Sequence, residues 1–372
     1  MVQFIDLKTQ YARLKARIDE NIAEVLQSGQ FILGPAVTRF EDEMRDYLGV
    51  KHAIGVSNGT DAIIMPLLAL DLTPADAVFV PSFTYTATAE AILMAQATPV
   101  FVDVDRKSFN IDPESLREKI AAVRREGRLT PRAIVAVDLF GQPADYQAVN
   151  AIARDNDLFV IADAAQSIGG KAGNRMIGTL ANCTTTSFYP TKPLGGYGDG
   201  GMVTTDDDKL AEALRSIRAH GEGSHRYDVV RLGMNARLDS LQAAVLSAKL
   251  EVLEDEIENR ERVARIYDER LKDVVTVPWR VPGSRSAWAQ YTIQTEDREG
   301  LRATLSAHNI PSMIFYPKPM HLQPAYAAYG DGDGSLEVSE WLCDRVLSLP
   351  MNPYLTDAEV HEVCDRIVGH FN

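Results

Sequence analysis

Thr186-Ser187-Phe188-Tyr189-Pro190-Thr191-Lys192-Pro193-Leu194-Gly195-Gly196-Tyr197-Gly198-Asp199-Gly200-Gly201 is the stretch on which the reading of this chain turns. A single lysine follows polar Ser and Thr and precedes a glycine-dense turn. The glycines allow backbone to come close to another group, and the apolar neighbours disfavour a charged ammonium. Desolvation lowers a lysine pKa and frees its nitrogen to add to a carbonyl. Taken alone, a lysine beside a loop is ordinarily a solvated surface group. The surrounding pattern has to choose between these readings.

Outward from Lys192, short apolar runs alternate with helical spacing. Candidate strands lie at residues 53–56, 78–80, 99–104, 133–138, 158–163, 184–188 and 201–205. Candidate helices lie at 61–70, 88–95, 113–124 and 145–156. Near-continuous apolar strands separated by helices predict an α/β fold with a mostly parallel sheet of seven strands covered on both faces. Two amphipathic helices, about 10–27 and 37–48, precede it, with Leu14, Ile18, Ile22 and Val25 marking the first. Residues 239–271 read as one long helix or a broken pair. The remainder predicts a smaller C-terminal α+β domain, with domains of 1–255 and 256–372. The run Gly330-Asp331-Gly332-Asp333-Gly334-Ser335 resembles half a calcium loop but lacks its terminal Glu, and is read as a surface loop.

Composition bounds the function. A net charge of −14 over 372 residues argues against a nucleic-acid or anionic-membrane surface, so an anionic substrate must meet locally clustered Arg and Lys. Arg226, Arg231, Arg237 and Lys318 are the candidates. Cys183, Cys343 and Cys364 are too few for a disulfide framework or a metal site. No signal peptide or membrane span is expected, and a cytoplasmic location fits these features.

Sites in such sheets gather at the carboxyl ends of the strands. Asn58, Tyr85, Asp163 and Ser187 all fall there. Asn58-Gly59-Thr60-Asp61 opens a helix and offers free N–H groups to an anion, or is an ordinary cap. Tyr85 offers a flat face to a planar ring, or is a core aromatic. Asp163 ends a buried strand and needs a partner. A cationic ring nitrogen would serve, and so would backbone N–H groups. Gly196-Tyr197-Gly198-Asp199-Gly200-Gly201 matches a nucleotide-binding glycine pattern but is followed by strand-like Met202-Val203-Thr204-Thr205 where a helix should open. That leaves a nicotinamide-dependent dehydrogenase weakly supported. Pyridoxal 5'-phosphate requires the four features together: donors for phosphate, a stacking face, an acid for the pyridine nitrogen and an amine for the aldehyde.

The order and wording of these segments resemble the DegT/StrS-type nucleotide-sugar aminotransferases of PLP fold type I, over essentially the whole chain. Ser187-Phe188-x-Pro190-x-Lys192 with Gly198-Asp199-Gly200-Gly201 carries the resemblance; Asn58-Gly59-Thr60, Asp163-Ala164-Ala165-Gln166 and Asn235-Ala236-Arg237-Leu238-Asp239 support it. It implies that Lys192 binds the cofactor covalently and moves the proton. Asp163 would pair with the ring nitrogen, Gln166 with the ring hydroxyl, and Tyr85 would stack. Gly59, Thr60 and Ser187 would hold the phosphate together with Asn235 of a second subunit, which implies a homodimer with shared active sites. Arg237, Tyr316 and His321 would meet the substrate. The expected reaction passes the amino group of L-glutamate to a nucleotide-linked keto sugar, in surface-polysaccharide sugar biosynthesis. Phe31-Ile32-Leu33-Gly34-Pro35 and Pro193-Leu194-Gly195-Gly196-Tyr197-Gly198-Asp199 look like the branch aminating UDP-2-acetamido-2-deoxy-3-oxo-glucuronate. Phe315-Tyr316-Pro317 and the segment from Lys318 to Pro324 look closer to enzymes of 3-oxo-6-deoxy sugars. Family members that dehydrate sugars carry His in place of Lys192. A ligand-sensing PLP protein without turnover is the alternative from another class, and no DNA-reading helix supports it.

Overall fold

Alternation along the strands accounts for the architecture. The computed structural model describes residues 2–225 and 227–372. Its central sheet contains β1 (His52–Val56), β2 (Asp76–Pro81), β3 (Thr98–Val102), β4 (Thr130–Val137) and β5 (Phe159–Asp163). After a small hairpin, β6 (Lys171–Ala172) and β7 (Arg175–Met176), it is completed by β8 (Cys183–Ser187) and β9 (Gly201–Thr205). The spatial order is β1-β9-β8-β5-β4-β2-β3. Only β9 runs against its neighbours. The seven expected strands are therefore one sheet, mostly parallel.

Side chains alternate between faces along each strand. Val78, Val80, Val135 and Ile161 face one helical layer, made of α3 (Gly59–Ala69), α4 (Thr86–Met94) and α7 (Asp208–Arg218). Ala77, Phe79, Ile134, Ala136 and Val160 face the opposite layer, built from α5 (Pro113–Glu126) and α6 (Tyr146–Asn156). Both faces are dry, which is why the strands read as continuous apolar runs. Each large apolar side chain so buried contributes roughly 1.5–3 kcal/mol. A charge at Val135, which is fully buried, would break the sheet at its centre. Helix α7 was not among the expected elements, although Leu210, Leu214 and Ile217 carry its apolar spacing.

The N-terminal helices α1 (Leu7–Ser28) and α2 (Pro35–Leu48) pack on α8 (Ser240–Leu250). The region 239–271 is a broken pair: α9 (Leu253–Leu271) follows α8 after a short break. The expected boundary near residue 255 falls in the first turn of α9. That helix belongs to two cores. Leu253 and Ile257 pack with α2 and α8, whereas Val263, Ala264, Tyr267 and Leu271 pack with β11 (Tyr291–Gln294), β12 (Val346–Leu349) and α12 (Asp357–Phe371). The short β10 (Ser284–Arg285) joins β6, and α10 (Arg298–Ala307) completes the second core. Between α10 and β12, α11 (Glu337–Cys343) returns to the large sheet, with Leu342 and Cys343 against Phe83 and Val104. The glycine-rich run at 330–335 is an exposed loop, tied to α5 by Lys119 and Asp331 at 2.6 Å. No described helix is long and apolar enough to cross a membrane.

Candidate active site

Strand direction brings the site together. β1, β2, β4, β5 and β8 all run the same way, so residues after Val56, Pro81, Val137, Asp163 and Ser187 emerge on one edge of the sheet. The register sets Asp163 opposite Val137 on one side and Thr185 on the other, at the centre of that edge. Lys192 follows β8 through a turn in which its N–H donates to the Tyr189 carbonyl at 2.9 Å.

Lys192 and Asp163 act on each other. The lysine side chain keeps some accessible surface, yet dense packing around its ammonium pulls its pKa below the usual lysine range; Asp163 opposes that shift. Asp163 is 5% exposed, and its burial pushes the carboxyl above the usual range. Thr88 Oγ1 donates to Asp163 Oδ2 at 2.9 Å and the Ala165 N–H to Oδ1 at 3.2 Å, and both restrain that rise, as does the charge of Lys192. An amine eased toward neutrality thus sits beside an acid held by donors.

The anion cradle is built by close backbone approach. Asn58 caps α3: its side chain accepts the Asp61 N–H at 2.8 Å and its carbonyl the Ala62 N–H at 3.1 Å. Those bonds leave the N–H groups of Gly59 and Thr60 for an outside acceptor, at the positive end of the helix dipole. A Cβ on Gly59 would lie 2.6 Å from Ser187 Cβ, and one on Gly201 2.4 Å from the Asn58 carbonyl oxygen. Only glycine lets β1, β8 and β9 converge this tightly. Asn58 Nδ2 donates to Asp61 Oδ2 at 2.9 Å, and Ser57 Oγ also bonds it, so that carboxylate is turned inward and its charge is shared.

Gln166 is 6% exposed and its orientation is fixed. Its Oε1 accepts the Phe140 N–H at 2.6 Å, which leaves Nε2 to donate, here to the Tyr316 hydroxyl at 3.3 Å. Tyr85 is 58% exposed rather than a core aromatic, with its ring 6.2 Å from that of Tyr316. Asn235 is exposed in the segment before α8, and its neighbour Ala236 accepts the Ser57 N–H at 3.3 Å. Arg237 is half-buried, and its Nε is enclosed without a hydrogen-bond partner among the described residues. His321 is enclosed against Ser82, just after β2. It is 1% exposed, with Nδ1 2.6 Å from Ser82 Oγ and Nε2 3.0 Å from Glu340 Oε1. Both ring nitrogens are engaged, so the residue is an internal strut in this chain and not a group open to substrate. Arg231 and Lys318 are exposed, and Arg226 lies outside the described residues.

A model of the DegT/DnrJ/EryC1/StrS aminotransferase family matches residues 12–368. The chain belongs to this family. It is 45% identical over 372 residues to the UDP-2-acetamido-2-deoxy-3-oxo-D-glucuronate aminotransferase of Pseudomonas aeruginosa, covering 99% of this chain and 100% of that one. A DegT DnrJ EryC1 StrS aminotransferase from Brucella abortus has the same fold with a TM-score of 0.98 and 53% identity, over 100% of both chains. The structure of ntda from Bacillus subtilis with bound cofactor PMP superposes with a TM-score of 0.88 at 29% identity, over 99% of this chain and 83% of that one. This DegT-family chain is accordingly a PLP-dependent sugar aminotransferase. Its own residues suit the cofactor: a lysine of lowered pKa, a buried acid with acceptor capacity left, and a glycine cradle at a helix start.

Three site neighbours escaped the sequence reading. Asp138 directly follows β4 as Asp163 ends β5, and the same strand-end argument would have found it. Its carboxylate accepts from Ser167 Oγ at 2.7 Å, Tyr146 OH at 2.8 Å and the Ala144 N–H at 2.8 Å, and burial pushes its pKa up to about 7. Ser167 follows Gln166 directly. Thr88 lies one helical turn after Thr84, and nothing in the spacing distinguishes it from Thr86.

Proposed function

We propose that this enzyme carries an amino group from L-glutamate to a 3-oxo sugar linked to a nucleotide, and that a UDP-linked 2-acetamido-3-oxo-glucuronate is the preferred acceptor. The observation that carries this reading is Lys192, eased toward its neutral form and set beside Asp163. Bound pyridoxal phosphate supplies an aldehyde for the amine and a ring that draws off the electron pair left when a proton departs. The chain supplies everything else. Lys192 takes and returns that proton at Nζ. Asp163 holds a proton on the ring nitrogen, and Gln166 Nε2 meets the ring hydroxyl. Gly59, Thr60 and Ser187 hold the phosphate, and Tyr85 covers the ring face.

A half-buried guanidinium whose enclosed Nε has no partner among the described residues suits an acidic group, and Arg237 is assigned to the sugar carboxylate on that basis. Tyr316 lines the same mouth beside Tyr85. Asn235 and Arg237 act in a homodimer, each reaching the other subunit's cofactor or substrate. The exposed apolar run Phe31, Ile32 and Leu33 supports that assembly, because a patch of this kind on a monomer calls for a cover. The enzyme works in the cytoplasm, in the biosynthesis of surface-polysaccharide sugars such as those of O-antigen.

The test is direct. Purified protein reconstituted with pyridoxal phosphate should show a visible absorbance band that shifts when glutamate is added. A panel of UDP- and dTDP-linked 3-oxo and 4-oxo sugars, scored by 2-oxoglutarate formed, then ranks the acceptors. A band that ignores glutamate defeats the transaminase reading; a preference for dTDP-linked 6-deoxy sugars defeats the glucuronate assignment alone.

A further inference from the structure

Asp163 receives two donors among the described residues, and they differ in kind. The Ala165 N–H belongs to the backbone two residues on and does not depend on the side chain at that position. Thr88 is a choice of side chain. It lies on α4, 75 residues away in sequence, and is 1% exposed. Within a helix a threonine hydroxyl commonly bonds the carbonyl one turn back. Here Thr88 Oγ1 instead reaches Asp163 Oδ2 at 2.9 Å. The next hydroxyl, Thr84 Oγ1, is 3.3 Å from Thr88 Oγ1 and is itself 1% exposed. Because a carboxylate only accepts, the Thr88 proton must point to Asp163, and its lone pairs are then free to accept from Thr84. Two buried hydroxyls form a directed chain that ends on the acid.

We propose that Thr88, oriented by Thr84, is a positioning residue that keeps Asp163 ionised and aimed at the cofactor ring nitrogen. A carboxylate offers about four acceptor positions. Thr88 and Ala165 occupy one on each oxygen, which leaves the remaining positions for a ring N–H and fixes the plane in which it is met. Burial works against the anion, and a buried hydroxyl donor works for it. Removing the hydroxyl makes the acid hold its own proton more tightly. A bound ring would then carry less positive charge, and Lys192 Nζ would be more basic.

This rests on the reading that Asp163 serves the ring nitrogen, and the experiment separates the two. The visible absorbance of the cofactor-loaded enzyme is titrated with pH in the absence of any amino donor. Thr88→Val should raise the titration midpoint by about one pH unit and weaken cofactor retention about tenfold, a unit of pKa being a factor of ten. Thr88→Ser should restore both, and Thr84→Val should shift the midpoint in the same direction by less. An Asp163→Asn midpoint that moves while that of Thr88→Val does not would overturn the role of Thr88 and leave that of Asp163 standing. Unmoved midpoints in both would overturn both. Should Thr88→Val fold poorly, the graded response of Thr84→Val and Thr88→Ser still decides.

Discussion

Asp138 and Asp163 stand at the ends of adjacent parallel strands, joined by an Asp138 N–H to Asp163 carbonyl bond of 3.0 Å, yet the proposed function gives them opposite uses. Both are buried, and burial raises both pKa values. Asp138 is nearly closed: Ala144, Tyr146 and Ser167 fill three of its about four acceptor positions from inside the large core. Asp163 is open: after Thr88 and Ala165 it still has acceptor positions, and the charge of Lys192 acts on it. Burial and strand-end position do not tell a structural acid from a working one. The difference lies in how much hydrogen-bonding capacity the protein itself consumes.

The sharpest way to break this comparison starts with Lys192. Lys192→Ala should lower transamination by about 10³-fold or more, since on the proposed reading it removes both the attachment point and the proton carrier; stopped-flow turnover with glutamate measures it. Asp163→Asn should follow, with kcat down about 10²-fold as a positioned charge is lost from the reacting ring. Its unfolding free energy in urea should hold or rise, because a buried charge has been removed. Asp138→Ala should do the reverse. Three buried donors lose their acceptor, which costs about 2–5 kcal/mol, while kcat per folded molecule changes less than in Asp163→Asn. A stable, inactive Asp138→Ala would show that the two acids had been assigned the wrong way round.

Much of this was legible beforehand. The seven strands could be read because both faces of the sheet are dry, so each strand declares itself by an unbroken apolar run such as 133–137. Lys192, Asp163 and the Asn58 cap could be read because each pairs an unusual residue with a strand end. Thr88 could not, since one hydroxyl among Thr84, Thr86 and Thr88 gains its role only from a residue 75 positions away. His321 misled for the same reason. It sits in a motif-like segment, but tertiary packing turns it toward Ser82 and Glu340. The later small core was read only in outline, because its strands β11 and β12 are four residues each and pair across a long stretch of sequence.

The closed acid should also leave a signature in pH. Its folded pKa of about 7 exceeds the unfolded value of about 3.9, so between those limits the native state keeps a proton that the unfolded chain has released. The contribution of Asp138 is therefore fully present below pH about 4 and is lost as pH rises through about 7, at up to about 1.4 kcal/mol per pH unit. Asp163, also raised, slopes the same way. Asp208, held low first by Lys51 and then by His52, slopes the other way, so the quantity to read is parent minus variant. Urea unfolding of Asp138→Asn across pH 4–7 should be flatter than that of the parent, and a parallel curve would place the raised pKa elsewhere.

The smallest effect concerns His321, where the same distinction between closed and open groups is tested outside the large sheet. Its ring bridges Ser82, two residues before Thr84, to Glu340, which also accepts the Gly334 N–H at 2.9 Å and so shapes the 330–335 loop. A ring with both nitrogens engaged inside the chain has nothing left to offer a sugar. His321→Ala should then cost about 1–2 kcal/mol of stability, the usual loss when buried hydrogen bonds are cut. It should leave KM for the sugar nucleotide within about twofold, whereas Arg237→Ala, which removes an unused buried donor, should raise KM about tenfold or more. A His321→Ala enzyme of unchanged stability and raised KM would mean that the ring turns outward when substrate arrives, and saturation in the resting chain would no longer separate scaffold from site.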